Sequence, residues 1–138
     1  MNESYLRKII RKEIAILSEE VTRSDLAQLE KYLDRLFSKL KVDIEFTNHF
    51  FDRVNDPRNK KPITPPEIIK IFRQAYKKHG KKISNFNKGA QAVLMDMSTD
   101  INVPFVIDWD KNTKELDLIS KTIMRKKNFG TSNLKLKV

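Results

Sequence analysis

The chain has 138 residues, 28 Lys+Arg against 18 Asp+Glu, and no cysteine. That is one domain's worth of chain, able to bury roughly two-thirds of its unfolded surface, so a core needs neither disulfide nor structural metal. Thiol catalysis and thiolate zinc sites are excluded, and His49 and His79 stand too far apart for paired-ligand spacing, so no metal and no cofactor is expected.

Met1 to Arg11 mixes charges with isoleucines instead of offering an apolar run. No signal peptide, transit peptide or membrane span is expected, and the default compartment is the cytoplasm. Leu6, Ile10, Ile14 and Leu17 repeat at helical spacing and predict a helix over 3–17. Leu26, Leu29, Leu33, Leu36 and Leu40 predict a second, from about Asp25 to Lys41, capped by Thr22 or Ser24. Together residues 1–41 read as an αα-hairpin. Its apolar faces cover each other or a sheet, or form a seam with a second copy or another protein.

Val42-Asp43-Ile44-Glu45-Phe46 alternates as a short strand, and Phe50, Phe51 and Val54 follow as one or two helical turns. A basic, proline-bracketed loop spans Asp56 to Pro62. Thr64-Pro65-Pro66-Glu67 is a capping box with proline at the first helical position. The helix it opens carries Ile68, Ile71, Phe72, Ala75 and Tyr76 on one face and is expected to stop at Gly80. Beyond it the period changes to two. Ala92 to Met97, Val103 to Trp109 and Leu116 to Met124 read as strands, and Leu134 to Val138 as an edge strand. The fold expected is α+β, a single domain with a basic body over 42–138 and an antiparallel sheet of about four strands.

Charge is uneven along this frame. Residues 1–46 hold nine Lys+Arg and nine Asp+Glu, so 47–138 carry the whole net charge of +10. A strongly cationic body attracts polyanions, nucleic acid first among them. Lys77, Lys78, Lys81 and Lys82 cluster in one stretch, and Lys121, Arg125, Lys126 and Lys127 in another. His49 and Arg53 are four apart and share a helical face, with Arg58 and Lys61 in the following loop.

Cleaving RNA without a metal needs a group to take the 2′-hydroxyl proton, a group to protonate the departing 5′-oxygen, and cations to hold the charge on phosphate. Imidazole suits either proton role near neutral pH, and guanidinium suits the phosphate. One histidine among several Arg and Lys is sufficient for such chemistry without being specific to it.

The order of helical hairpin, short strand, N-H-F-F-D-R, basic loop, I-T-P-P-E-I-I-K-I-F helix and a sheet ending in S-K-T-I-M-R-K-K-N-F resembles small ribonucleases of the RelE/YoeB kind. More narrowly it resembles the RegB family, early-transcript endoribonucleases of T-even-type phages, over roughly residues 42–125. The resemblance implies a RelE-like fold and metal-independent cleavage of single-stranded RNA, such as mRNA on or near ribosomes, to a 2′,3′-cyclic phosphate. It carries the functional His and Arg onto His49 and Arg53, while a second histidine is replaced by Arg73. On that reading His49 transfers protons, Arg53 and Arg125 clamp phosphate, Lys121 is a transition-state cation, and the Thr122 hydroxyl contacts phosphate. Arg58, Lys61, Arg73, Lys77, Lys78, Lys81, Lys82, Lys126 and Lys127 bind the RNA. The alternative is a non-catalytic nucleic-acid-binding phage protein, of the virion or of host takeover, using the same basic face.

Overall fold

The computed structural model describes residues 21–138. The helix expected over 3–17, and with it the αα-hairpin, lies outside the described residues. Helix α1 spans Arg23–Phe37, and a 3-10 turn, Ser38–Leu40, follows it. Thr22 is its N-cap, in a reciprocal capping box with Asp25. Leu26, Leu29, Leu33 and Phe37 are buried, so the stripe leaves the expected Leu36/Leu40 line in its last turn for Phe37.

Strand β1 (Val42–Phe46) leads into the short helix α2 (Asn48–Val54). Helix α3 (Pro65–Ser84) opens on the expected Thr64–Glu67 capping box. It runs four residues past Gly80, where a stop was expected. The glycine serves close approach instead: a Cβ there would meet Leu40 Cδ1 at 3.1 Å. No described helix is long and apolar enough to cross a membrane.

The remaining strands are β2 (Gln91–Asp96), β3 (Ile101–Asp110), β4 (Glu115–Ser120), β5 (Met124–Arg125) and β6 (Leu134–Lys137). Among the described residues the fold is α+β, with a six-stranded sheet in the order β1-β4-β3-β2-β6 and β5 paired to β3. The sheet is mixed, which corrects the antiparallel, four-stranded expectation. Its centre, β2-β3-β4, is antiparallel, but β1 pairs parallel with β4 and β6 parallel with β2. Alternating hydrophobicity reports which face a residue takes and carries no information about a partner strand's direction.

The core fills one face of the sheet. Ile44, Leu118, Ile107 and Leu94 meet Leu33, Phe37, Ile68 and Phe72 from α1 and α3. Phe46 stacks on Phe50 at 4.3 Å and meets Phe72 edge-on at 5.7 Å, so α2 is joined to this core through its first turn. The outer edge of β1 is satisfied by α1: Ile44 N–H donates to Asp34 at 2.7 Å and Phe46 N–H to Glu30 at 2.9 Å. An open strand edge is thereby closed by carboxylates of the same chain.

Candidate nucleic-acid cleft

Parallel pairing of β1 with β4 is what assembles the site. Phe46 and Ser120 are register partners, so both strands end at the same level. The residues that follow each strand, Thr47 to Arg53 on one and Lys121 to Ile123 on the other, emerge side by side. Thr47 N–H donates to the Ser120 carbonyl at 3.2 Å, and the Thr47 hydroxyl caps α2 by accepting from Phe50 N–H. At the other end of α2, Asn55 exchanges two hydrogen bonds with the Val21 backbone, both 2.9 Å. Arg23 lies over the Phe51 ring at 4.4 Å and donates to Asn48. A seven-residue helix would not hold by itself; these ties fix the direction in which it presents His49 and Arg53.

The opposite wall departs from the expected continuous strand. Between the pairs Val106–Ile119 and Asn102–Met124, Val103–Phe105 of β3 face Ser120–Ile123, three residues against four. This is a bulge, and Pro104 accounts for its position. Ile107 turns its N–H and C=O toward the β2 side, so strand alternation aims the nitrogen of Pro104 at the gap between β4 and β5. Proline has no proton to donate there, and the ladder opens. Ile123 stays buried as an anchor while Lys121 and Thr122 turn out. Among the described residues, the buried Ser120 hydroxyl at this break has no hydrogen-bond partner.

These segments line a cleft of about 1010 Å³. All five residues assigned catalytic roles from the sequence, His49, Arg53, Lys121, Thr122 and Arg125, line it, as do Arg58, Lys61, Lys126 and Lys127. Asp56, Asn59, Lys60 and Asp100 complete much of the wall and were not picked out from the sequence. Among the described residues that line it, Asp56 and Asp100 are the acidic ones. Asp56 accepts from Arg58 at 2.7 Å and from Arg53 at 3.2 Å. The Arg58 hydrogen bonds above all hold its carboxyl far below the ordinary carboxylate range. Asp56 therefore stays charged, and Arg53 and Arg58 are oriented together on one side of the cleft.

The position of Arg125 changes its role. Its guanidinium donates to the carbonyls of Lys61, Thr99 and Pro62 at 3.1, 2.9 and 2.6 Å and to the Glu67 carboxylate at 2.9 and 3.1 Å. Its side chain is only 11% exposed. A guanidinium so engaged has no fork left to close on a phosphate; Arg125 braces the cleft wall, a correction to its reading as a clamp. Burial works against the Glu67 carboxylate, but the Arg125 and Thr64 hydrogen bonds outweigh it and its pKa stays below the ordinary value. Asn59, buried, joins the same wall: it donates to the Arg53 carbonyl at 2.9 Å and accepts from Arg125 N–H at 3.0 Å.

A second correction concerns α3. Arg73, Lys77, Lys81 and Lys82 are exposed on that helix and do not line the cleft, and Lys78 lines a separate hollow of about 430 Å³ with Lys70, Gln74 and Asp96. The expected set of cations is thus two groups. Arg73 is not among the residues that line the cleft with His49: the face of α3 that packs on the core carries Ile71, Phe72 and Ala75, and residue 73 is exposed. The other histidine, His79, donates its Nε2 proton to the Lys137 carbonyl at 2.7 Å, tying α3 to β6. Among the described residues no three His, Asp or Glu side chains gather as metal ligands.

No family model, no curated protein and no solved structure matches the chain.

Proposed function

We propose that the protein is a metal-independent endoribonuclease of single-stranded RNA, mRNA included, of the RelE/RegB kind, acting in the cytoplasm through this cleft. The observation that supports it best is the meeting of His49, Arg53, Lys121 and Thr122 in one basic cleft, drawn from two segments more than sixty residues apart. In the reaction the 2′-oxygen attacks phosphorus and the bond to the 5′-oxygen breaks, leaving a 2′,3′-cyclic phosphate and a free 5′-hydroxyl. His49 moves the proton at one of these oxygens, taking it from the 2′-hydroxyl or giving it to the 5′-oxygen, and water carries the proton at the other. Arg53, aimed by Asp56, holds a non-bridging oxygen, and Lys121 balances the charge that grows there. Thr122 donates to the same phosphate.

The test is His49→Ala against the parent in EDTA, with a short single-stranded RNA and a quantified cyclic-phosphate end. Cleavage falls by about 10²–10⁴ while RNA binding survives, since protons and phosphate are handled by different side chains. A parent that cleaves no RNA, with or without ribosomes, overturns the enzymatic reading. The second reading, a non-catalytic binder of nucleic acid, is favoured by one feature: the cleft holds a single imidazole, with Arg73 outside it.

A further inference from the structure

We propose that Lys60 is a substrate-contacting residue of this cleft, holding a backbone phosphate of the bound RNA; the proposal rests on the nucleic-acid reading above. Lys60 has φ 64° and ψ −58°, and Lys61 N–H donates to the Asn59 carbonyl at 2.6 Å across it. That is a γ-turn of the rare positive-φ kind, strained for any residue with a Cβ. Lys41, with φ 57° and ψ 41°, also has positive φ but sits in the small left-handed region open to ordinary side chains. Lys60 does not. Glycine would take its conformation freely, yet the chain carries a lysine there.

The surroundings hold the strain in place. Asp56 caps the preceding turn, and Lys60 N–H is bound to the Pro57 carbonyl. Arg125 grips the carbonyls of Lys61 and Pro62, while its own N–H is held by Asn59. Residues 59 to 62 are thus fastened on both sides of the turn. The Lys60 side chain itself is exposed on the cleft wall and joins no ion pair among the described residues. A strained, over-determined backbone presenting an unengaged ammonium into a cleft rich in cations fits a phosphodiester oxygen, for which lysine acts as a point charge.

The experiment measures binding of a short single-stranded RNA over a range of salt, together with melting, for the parent, Lys60→Ala, Lys60→Gly and the control Lys111→Ala. Lys111 lies in the exposed β3–β4 turn, outside the cleft, and removes the same charge. Both Lys60 variants should lose affinity roughly 3–10-fold, and the slope of log K against log salt should shrink by about 0.7, the share of one phosphate on a single strand. Lys60→Gly should melt higher than Lys60→Ala because the turn no longer strains a Cβ. Equal affinity of the Lys60 variants and a binding-competent parent overturns the inference alone; a parent that does not bind RNA overturns it together with the reading of the cleft. A Lys111→Ala loss as large as that of Lys60→Ala would mean that the general field acts and no contact is made. That result also overturns it.

Discussion

Arg125 meets Glu67 at 2.9 Å across the cleft wall, joining β5 to the first turn of α3. The same guanidinium reaches the 61–62 and 99 carbonyls, so one side chain joins residues 61–67 and residue 99 to its own strand. Arg125→Ala should cost about 3 kcal/mol, as when one member of a largely buried pair is removed and the other is left charged. Denaturant titration checks this. Glu67→Gln, which keeps the hydrogen-bond acceptor and the N-cap contact, should cost less. A phosphate clamp would behave in the opposite way: its loss would leave stability untouched and weaken RNA binding.

Leu33 is fully buried in the middle of α1, against the sheet and α3. Leu33→Ala should lose about 2–5 kcal/mol through the cavity it leaves, and Leu33→Asp should lose more, since the carboxylate finds no partner there. Melting curves read both. An unchanged midpoint for Leu33→Asp would assign the stripe to an exposed surface for another chain.

Stability should rise as pH falls from about 8 to 5. Asp43, Asp117 and Asp108 stand in register on three neighbouring strands. Burial first, and then the charges of Asp43, Asp110, Glu45 and Asp108, push Asp117 up to about 6. Asp34 is pushed up to about 7 by burial, with Asp43 and Glu30 adding to it. For an acid raised on folding, the folded state binds the proton more tightly. Its stabilising contribution is complete below the unfolded value, 3.8, and is lost as pH rises through about 6 and 7. Below pH 4 the lowered carboxyls of Glu67, Asp96 and Asp56 act in the opposite sense. Asp117→Asn should raise the melting temperature at pH 8 by on the order of 2 °C, a modest effect because the site is only partly buried and its charges are screened by solvent. It should leave pH 4 unchanged.

Local signals in the sequence located α1, α3 and most strands, because caps and hydrophobic period act within a few residues. Thr64-Pro65-Pro66-Glu67 is the clearest case: its box forms as expected. Grouping His49 and Arg53 with Lys121 and Thr122 depended on a resemblance, since nothing local indicates that β1 runs parallel to β4. The roles of Asn59, Lys60 and Arg125 were hidden for a related reason. Each is set by hydrogen bonds spanning more than sixty residues or by a single φ, and neither leaves a periodic trace. Pro104 did leave a signal. A proline inside an otherwise regular strand marks a bulge or an edge, and from it the break opposite Lys121 could have been anticipated.

The break itself can be tested through Pro104. Its nitrogen points at the gap where four residues of the β4–β5 segment face three of β3. Pro104→Val supplies an N–H in a residue that favours strands, so the ladder can extend toward Ser120 and Lys121. Closing it would draw Lys121 and Thr122 back toward the sheet and out of the cleft. The expected result is a protein that melts no lower than the parent, with the Lys121 and Thr122 amides newly protected from hydrogen exchange. On the proposed ribonuclease reading, RNA cleavage should fall by about tenfold or more, because small displacements of positioned groups are costly to rate. If the variant cleaves at the parent's rate with those amides still exchanging freely, contacts other than the missing proline proton hold the bulge open. The Thr47 N–H on the Ser120 carbonyl, which fastens the same point to α2, would then be the one to remove next.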